Sequence, residues 1–250
     1  MGKSMKVLFA LAATFVCMSA FASGGDADIE KSEIDPGNIN SLQRGARNFM
    51  NYCSGCHSAK YVRFNTIGKY LELSDKQLID NLMFNAEKTF ETINVSMRSV
   101  DARKWFGTPP PDMSLMGRSK GADNIFNFLK GFYIDPDSPT GVDNQILPGT
   151  SMPHVLWELQ GYQNAIYESH TDAEGNVIQK FAGMEPATAG LMSADEYDDF
   201  VRDTTNFLAY IAEPIRSERR KLGVWVMMFL IFFLIIASML KKQIWKDVKK

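Results

Sequence analysis

An uncharged apolar run near the C-terminus constrains this chain more than any other feature. Leu222 to Leu240 comprise 19 consecutive residues without a charge, and the central stretch VWVMMFLIFFLII has no polar face. A helix of this length rises roughly 28 Å, close to the thickness of a bilayer core. A core helix of a soluble domain would show a polar side. The run therefore predicts a transmembrane helix at 222–240.

Basic residues flank this run on both sides. A lysine-rich tail at 241–250 follows it, which the positive-inside rule places in the cytoplasm. The cations before the run, at 215–221, weaken that argument because they favour the opposite orientation. The orientation in the membrane therefore has to be inferred from the N-terminal sequence.

The first residues have the pattern of a secretory signal. Lys3 and Lys6 precede an apolar run from Val7 to about Phe21, which ends in the A-x-A pattern Ala20-Phe21-Ala22. We expect a cleaved signal peptide at 1–22. An uncleaved anchor is the alternative, but the run is short for a span and a polar segment follows it. A cleaved signal places the body of the chain outside the cytoplasm.

These features predict a single-pass protein of a bacterial inner membrane, with its body in the periplasm and its C-terminus in the cytoplasm. The net charge of -2, without a basic stripe, argues against nucleic-acid binding. The expected organisation, in chain order, is a signal peptide at 1–22, an extended and loosely packed arm at 23–40, a folded domain at 41–214, a basic flanking segment at 215–221, the transmembrane helix at 222–240 and the basic tail at 241–250.

The sequence predicts a mostly helical folded domain. Apolar residues from Leu42 to Cys53 recur at helical spacing, so one helix leads directly into Cys53. Capping boxes at Ser74 and Ser193 start two more helices, and a further helix runs from about Asp123 to near Gly131. Other segments are not helical: three prolines keep 108–112 extended, two short strands at 164–167 and 177–181 form a hairpin, and Pro214 interrupts the chain before the membrane.

The clearest functional motif in the chain is Cys53-Ser54-Gly55-Cys56-His57. It matches C-x-x-C-H, the pattern for covalent haem attachment, in which two thiols bond the porphyrin and the adjacent imidazole binds iron. A thioredoxin-like pair is disfavoured because strands and helices do not alternate around it, and a zinc site because a second cysteine pair is lacking. The third cysteine, Cys17, lies in the predicted signal peptide. We therefore expect one covalent haem c.

A sixth iron ligand has to come from elsewhere in the chain, and methionine or histidine is usual. Met152 is the best candidate because it lies in a non-helical segment between Pro148 and Pro153. Met184, beside Gly183 and Pro186, is the second candidate. His154 is a third, although a lone histidine is more often a surface or core residue.

Several segments along the chain form a recognisable series. They are, in order, Leu42-Gln43-Arg44-Gly45-Ala46, Asn51-Tyr52-Cys53, Cys56-His57-Ser58, Pro110-Pro111-Asp112-Met113-Ser114, Met152-Pro153, Phe207-Leu208, Glu213-Pro214 and Arg219. This series resembles cytochrome c1, the haem subunit of the cytochrome bc1 complex. It covers nearly the whole mature chain and is far more specific than C-x-x-C-H alone.

The resemblance implies a mostly α fold, with a c-type haem domain, a short hairpin and one C-terminal transmembrane helix. It implies that His57 and Met152 ligate the iron, that Pro110 and Pro111 pack near the haem, and that Arg118 contacts a haem propionate. One departure concerns Trp105-Phe106-Gly107, since some members have a polar Asn-Gly pair there. A haem hydrogen bond from that position is therefore not expected.

The resemblance also implies a relay without bond-making catalysis by this chain. One electron would pass from a Rieske iron-sulfur protein to a soluble or anchored cytochrome c, and cytochrome b would be the membrane partner. Quinol oxidation would belong to the complex, with quinone bound on other subunits. The alternative is a free-standing anchored cytochrome that serves a terminal oxidase or a dehydrogenase.

Overall fold

The computed structural model describes residues 29–171 and 177–247. Several predictions fall outside these residues: the signal peptide at 1–22 with Cys17, the start of the arm at 23–28, the hairpin turn at 174–176 and the last residues of the tail. The fold prediction is tested on the described part.

The described chain is mainly helical, with short antiparallel strand pairs, as predicted. Strands β1 with β2, β3 with β4, and β5 with β6 form the pairs. The helices are α1 (Ile39–Asn48), α2 (Phe64–Tyr70), α3 (Asp75–Leu82), α4 (Ser99–Phe106), α5 (Met116–Ser119), α6 (Ala122–Lys130), α7 (Trp157–Gln160), α8 (Ala194–Ala212) and α9 (Arg216–Ile244), and the strands are β1 (Ala59–Arg63), β2 (Thr92–Ile93), β3 (Phe132–Ile134), β4 (Val142–Asn144), β5 (Gln163–Thr171) and β6 (Val177–Pro186).

Helices α1 and α8 form the centre of the domain. They approach closely at Gly45, where a Cβ atom would overlap the backbone carbonyl of Asp203. The Arg44 guanidinium binds both carboxylate oxygens of Asp203 at 2.5 and 2.9 Å. Phe49 and Phe207 are fully buried between the helices, where their rings meet at a tilt of 45°, with centroids 5.8 Å apart. This contact fixes the end of α1, where the cysteine motif begins.

The capping signals correctly mark two helix starts. The Ser74 hydroxyl accepts from the Gln77 N–H at the start of α3, and the Ser193 hydroxyl accepts from the Glu196 N–H at the start of α8. Each capping box is complete, because the Gln or Glu side chain also accepts from the capping residue's N–H.

The described part of the N-terminal arm, residues 29–38, is mostly exposed, but polar contacts attach it to the domain at several points. Ser32 is buried, and both its N–H and its hydroxyl donate to the Asp123 carboxylate at 2.9 and 2.7 Å. Asn206 of α8 donates to the carbonyl of Asp35 at 2.7 Å. The polar composition of the arm suggested exposure, but its polar groups are paired with the domain.

Strands β5 and β6 confirm the predicted hairpin and extend it. β6 continues to Pro186, so Met184 lies in a strand opposite Ala165 and not in the loop expected around it. The register shifts between Ile166 and Tyr167. Tyr167 packs against Phe181, which also contacts Tyr133 of β3, so the base of the hairpin is attached to the domain.

The C-terminal helix α9 is the described helix that could span a membrane. Its stretch Glu218–Ile244 is long and apolar enough to cross a bilayer, and the side chains along its apolar part are exposed. The basic residues expected as a separate segment at 215–221 form its first turns. Pro214 separates α9 from α8 as predicted, and Arg219 pairs with Glu213 across this break at 2.5 Å.

Candidate functional site

The cysteine motif forms a tight turn at the end of the first helix. A π-helical segment, Phe49–Cys53, continues α1. The N–H groups of Cys56 and His57 both donate to the carbonyl of Cys53, at 3.1 and 2.8 Å. The Ser54 hydroxyl also stabilises the turn, because it donates a hydrogen bond to the carbonyl of Met50 at 2.7 Å. The motif is thus held by the backbone of a helix that packs in the core.

Both cysteines of the motif are unpaired thiols. Burial, with a smaller contribution from the neighbouring Cys56, raises the pKa of Cys53 to about 12. Burial also raises the pKa of Cys56. Both groups are therefore neutral S–H groups at neutral pH. Two neutral thiols three residues apart can each add across a vinyl double bond to give a thioether, and nothing is lost in that addition.

The His57 ring is buried and has a defined orientation. Its Nδ1 donates to the carbonyl of Pro111 at 2.8 Å. A carbonyl only accepts, so the ring proton must be on Nδ1, and Nε2 keeps its lone pair. Burial lowers the pKa of His57, although the Pro111 bond and the charge of Asp112 oppose this. A neutral imidazole with one nitrogen fixed by a carbonyl is the usual state of a histidine that binds a metal.

The proline segment docks beside the motif through Asp112, to which the sequence analysis assigned no role of its own. The Asp112 carboxylate accepts from the Ser58 hydroxyl at 2.6 Å and from the N–H groups of Lys60 and Ser114 at 2.9 Å each. Burial opposes its ionisation, but these hydrogen bonds outweigh burial and lower the pKa of Asp112. The Met113 N–H adds a bond to the Ser58 carbonyl at 2.7 Å. Asp112 thereby holds the Pro111 carbonyl against His57.

Met152 lies in a short segment without regular structure. Its side chain is half-buried, and its N–H makes a long hydrogen bond of 3.4 Å to the Thr150 hydroxyl. Just before it, the Gly149 N–H donates to the Asp143 carboxylate at 2.7 Å. His154, two residues later, is buried, and burial lowers its pKa to about 4.

A cavity of about 580 Å³ adjoins this segment. Its walls include Trp105-Phe106-Gly107, which precede the prolines, and Gly149-Thr150-Ser151, which precede Met152, but Cys53, Cys56, His57 and Met152 themselves do not line it. The segment before the prolines and the segment before Met152 therefore meet at the same cavity. Its volume is in the range of cofactor and ligand sites.

The remaining predicted residues lie around this region with fewer contacts. Pro110 is half-buried, whereas Pro111 is exposed and contributes its carbonyl. Arg118 is exposed, and its side chain forms no ion pair with another described residue. Its helix α5 is held against α8, since a Cβ at Gly117 would overlap the backbone of Ala209.

The donor set fits a covalently attached haem. It offers two neutral thiols on one turn, an imidazole with a free Nε2 beside them and a thioether on a separate segment next to a cavity. Thioether and imidazole are both common axial ligands of haem iron. No group of three or more His, Cys, Asp or Glu side chains among the described residues forms another metal site.

Comparisons with known proteins agree with this arrangement. The model of the Cytochrome C1 family matches residues 35–248. Cytochrome c1 of Allochromatium vinosum is 44% identical over 239 residues, which cover 94% of this chain and 97% of that protein. The ammonia monooxygenase gamma subunit of Nitrosomonas europaea is 37% identical over 242 residues, 97% of each chain. Cytochrome b/c1 of Bradyrhizobium diazoefficiens is 23% identical over 298 residues, which cover 99% of this chain and 41% of that protein.

Proposed function

Because the chain belongs to the cytochrome c1 family, we propose that it is the haem subunit of a respiratory cytochrome bc1 complex. Members of this family carry covalently bound haem c, so the chain is a c-type cytochrome with an electron-transfer role. The haem supplies reversible one-electron chemistry at its iron. The chain's own residues have to hold that group, exclude water from it and connect it to the membrane.

The observation that carries the proposal is the pairing of His57 with the Pro111 carbonyl. It joins the attachment turn to a proline segment 54 residues away and leaves Nε2 of His57 with a lone pair that could bind iron. In the proposal, Cys53 and Cys56 would form the thioethers and His57 would be one iron ligand. Met152 is the other. Pro110 and Pro111 pack beside the ring, and Arg118 binds a propionate.

The proposed electron donor is a Rieske iron-sulfur protein, and the acceptor is a soluble or anchored cytochrome c. Cytochrome b is the proposed partner in the membrane. Support comes from the Bradyrhizobium relative, whose name joins b and c1 and of which this chain covers 41%. In this arrangement the chain is a subunit of a quinol:cytochrome c oxidoreductase, and quinol oxidation takes place on other subunits.

The proposed orientation places the haem domain in the periplasm and the lysine-rich end of α9 in the cytoplasm of a bacterial cell. Truncation just before Arg216 tests the anchor, because it removes the only long apolar helix of the described chain. We expect a soluble, red periplasmic fragment. Membrane retention of this fragment, in a strain that lacks the other subunits, would show a second anchor.

The Nitrosomonas relative bears a different name, which links it to ammonia oxidation. It matches this chain end to end, with 97% of each covered, so it has no additional domain that this chain would lack. We therefore propose the same electron-transfer role for the shared fold. The remaining alternative is a free-standing anchored cytochrome that feeds a terminal oxidase or a dehydrogenase.

Gentle detergent extraction separates the bc1 proposal from the free-standing alternative. The full-length, haem-loaded chain with an affinity tag is purified from its own membranes and compared with an unrelated tagged, membrane-anchored cytochrome. The proposal predicts a di-haem b subunit and a Rieske protein in the first sample and not in the control. Purification of the chain alone, with its haem intact, would support the free-standing cytochrome instead.

A further inference from the structure

The histidine that follows Met152 and Pro153 occupies an aromatic core. His154 is 5% exposed, and its ring lies flat on Phe132, with centroids 5.0 Å apart and an angle of 10° between the planes. Tyr162 meets the same ring edge-on at 6.1 Å. Phe132 is itself almost completely buried and contacts Phe128 at 5.2 Å. The imidazole thus takes the place of a core aromatic ring.

The nitrogens of this ring do not explain its position. Neither Nδ1 nor Nε2 makes a hydrogen bond of regular geometry with a described residue, although the Gly161 backbone and the Gln160 side chain lie close enough to oppose the effect of burial on the pKa of His154. A buried polar atom without a well-aligned partner destabilises the folded state. The contact with regular geometry is the stacking of the flat ring on Phe132, and this contact defines the position of the ring.

The link from this ring to Met152 is short and stiff. Only Pro153 lies between them, and proline fixes its own φ and restricts the backbone of the residue before it. On the other side, Thr150 is buried and the Gly149 N–H is bound to Asp143. Met152 therefore lies between two fixed positions, Gly149-Thr150 on one side and His154 on the other. Of these, His154 has the larger buried side chain.

We propose that His154 is a positioning residue for Met152. Its ring, stacked on Phe132, fixes the backbone from which the Met152 thioether reaches the iron. This inference rests on the proposed function, in which Met152 is the sixth ligand. Removal of the ring frees one end of the Met152 segment, so that the sulfur binds iron in a smaller fraction of molecules.

The test compares three variants of the full-length, haem-loaded chain in detergent. His154→Ala removes the ring, and His154→Phe keeps a flat ring without nitrogens. Ile67→Ala is the matched control, because Ile67 is 3% exposed and belongs to a different buried cluster. The measurements are the far-red sulfur-to-iron band, the reduction potential, carbon monoxide binding and the melting temperature.

We expect His154→Ala to lose much of the far-red band, to bind carbon monoxide and to have a lower potential. His154→Phe should keep the band and the potential. Ile67→Ala should melt earlier but keep both. A full band and an unchanged potential in His154→Ala would overturn the inference, and so would loss of the band in His154→Phe.

Two further variants complete the design. If His154→Ala does not yield haem-loaded protein, His154→Leu replaces it, since leucine fills the space without a flat ring and should still lose part of the band. Met152→Leu separates this inference from the ligand assignment. A normal band in Met152→Leu would reject Met152 as ligand, whereas its loss there and persistence in His154→Ala would reject only the role of His154.

Discussion

The two sides of the proposed haem site differ in how their residues are held. On the attachment side, the turn from Cys53 to His57 continues a helix whose end is packed in the core, and hydrogen bonds connect it to Pro111 and Asp112. On the other side, Met152 lies in an irregular segment fixed mainly at its ends. Covalent attachment should therefore depend on the fold of the whole domain, whereas the sixth ligand should be separable from it.

The largest effect is expected on the attachment side. Replacement of Cys53 and Cys56 together by Ser should abolish covalent haem, because each thiol forms one thioether, and either single change should weaken attachment. Haem staining of a denaturing gel measures this directly. A normal stained band from the double variant would reject the assignment of the motif.

The next largest effect concerns the helix crossing that supports the attachment turn. Gly45→Ala places a methyl group against the Asp203 carbonyl and Phe207. The resulting overpacking should cost roughly 2–3 kcal/mol of unfolding free energy, more than the gain of about 0.5–1 kcal/mol from replacing a helical glycine. Less haem-loaded protein and an earlier thermal transition should follow.

Gly183→Ala is the control for this change, because no atom lies within 4 Å of a Cβ built at Gly183. It should melt like the unchanged protein. Equal melting temperatures of the Gly45 and Gly183 variants would mean that α1 and α8 are less closely packed than their geometry indicates. The attachment side would then be no more rigidly packed than the Met152 side.

The same contrast explains how much of the molecule was predictable from sequence. The cysteine motif, the two capping boxes and the apolar span are local signals, because the residues that determine them lie within a few positions of one another. Contacts between distant segments have no such signal. The bond from His57 to the Pro111 carbonyl spans 54 residues, and any residue's carbonyl can accept such a bond.

Short and polar elements were missed for a related reason. β2, β3 and β4 have two or three residues each, too few for an alternating pattern. Asp112 follows three prolines, where an aspartate is typical of a turn. Ser32 is polar and has no apolar periodicity around it, yet it is buried through its bonds to Asp123. In each case tertiary pairing decides the structure.

On the Met152 side, a change should affect the iron without removing the haem. Met152→Leu replaces a soft thioether that favours the reduced iron, so the potential should fall by on the order of 100 mV and carbon monoxide should bind. Covalent haem should remain, because attachment depends on the cysteines. Redox titration, together with the far-red sulfur-to-iron band, measures the change.

Met184→Leu is the control for this experiment, because Met184 is a strand residue of the hairpin. It should keep the band and the potential. If the Met184 variant loses the band while the Met152 variant keeps it, the ligand assignment is wrong, although the haem assignment stands. Loss of covalent haem in Met152→Leu would show instead that the two sides of the site are not separable.

The smallest expected effect is that of Asp112→Asn, which tests how firmly the attachment side is fixed. The carboxylate accepts three hydrogen bonds through two oxygens, and an amide replaces one oxygen by a donor that cannot accept from a backbone N–H. Because Asp112 is only half-buried, we expect a loss of about 1 kcal/mol in unfolding free energy. Glu87→Gln, an exposed change of the same charge, should lose nothing. Covalent haem and the sulfur-to-iron band should persist in both, since the helix and its core contacts still hold the turn. A drop in potential as large as that of Met152→Leu would contradict this, and would show that the orientation of His57 depends on Asp112 alone.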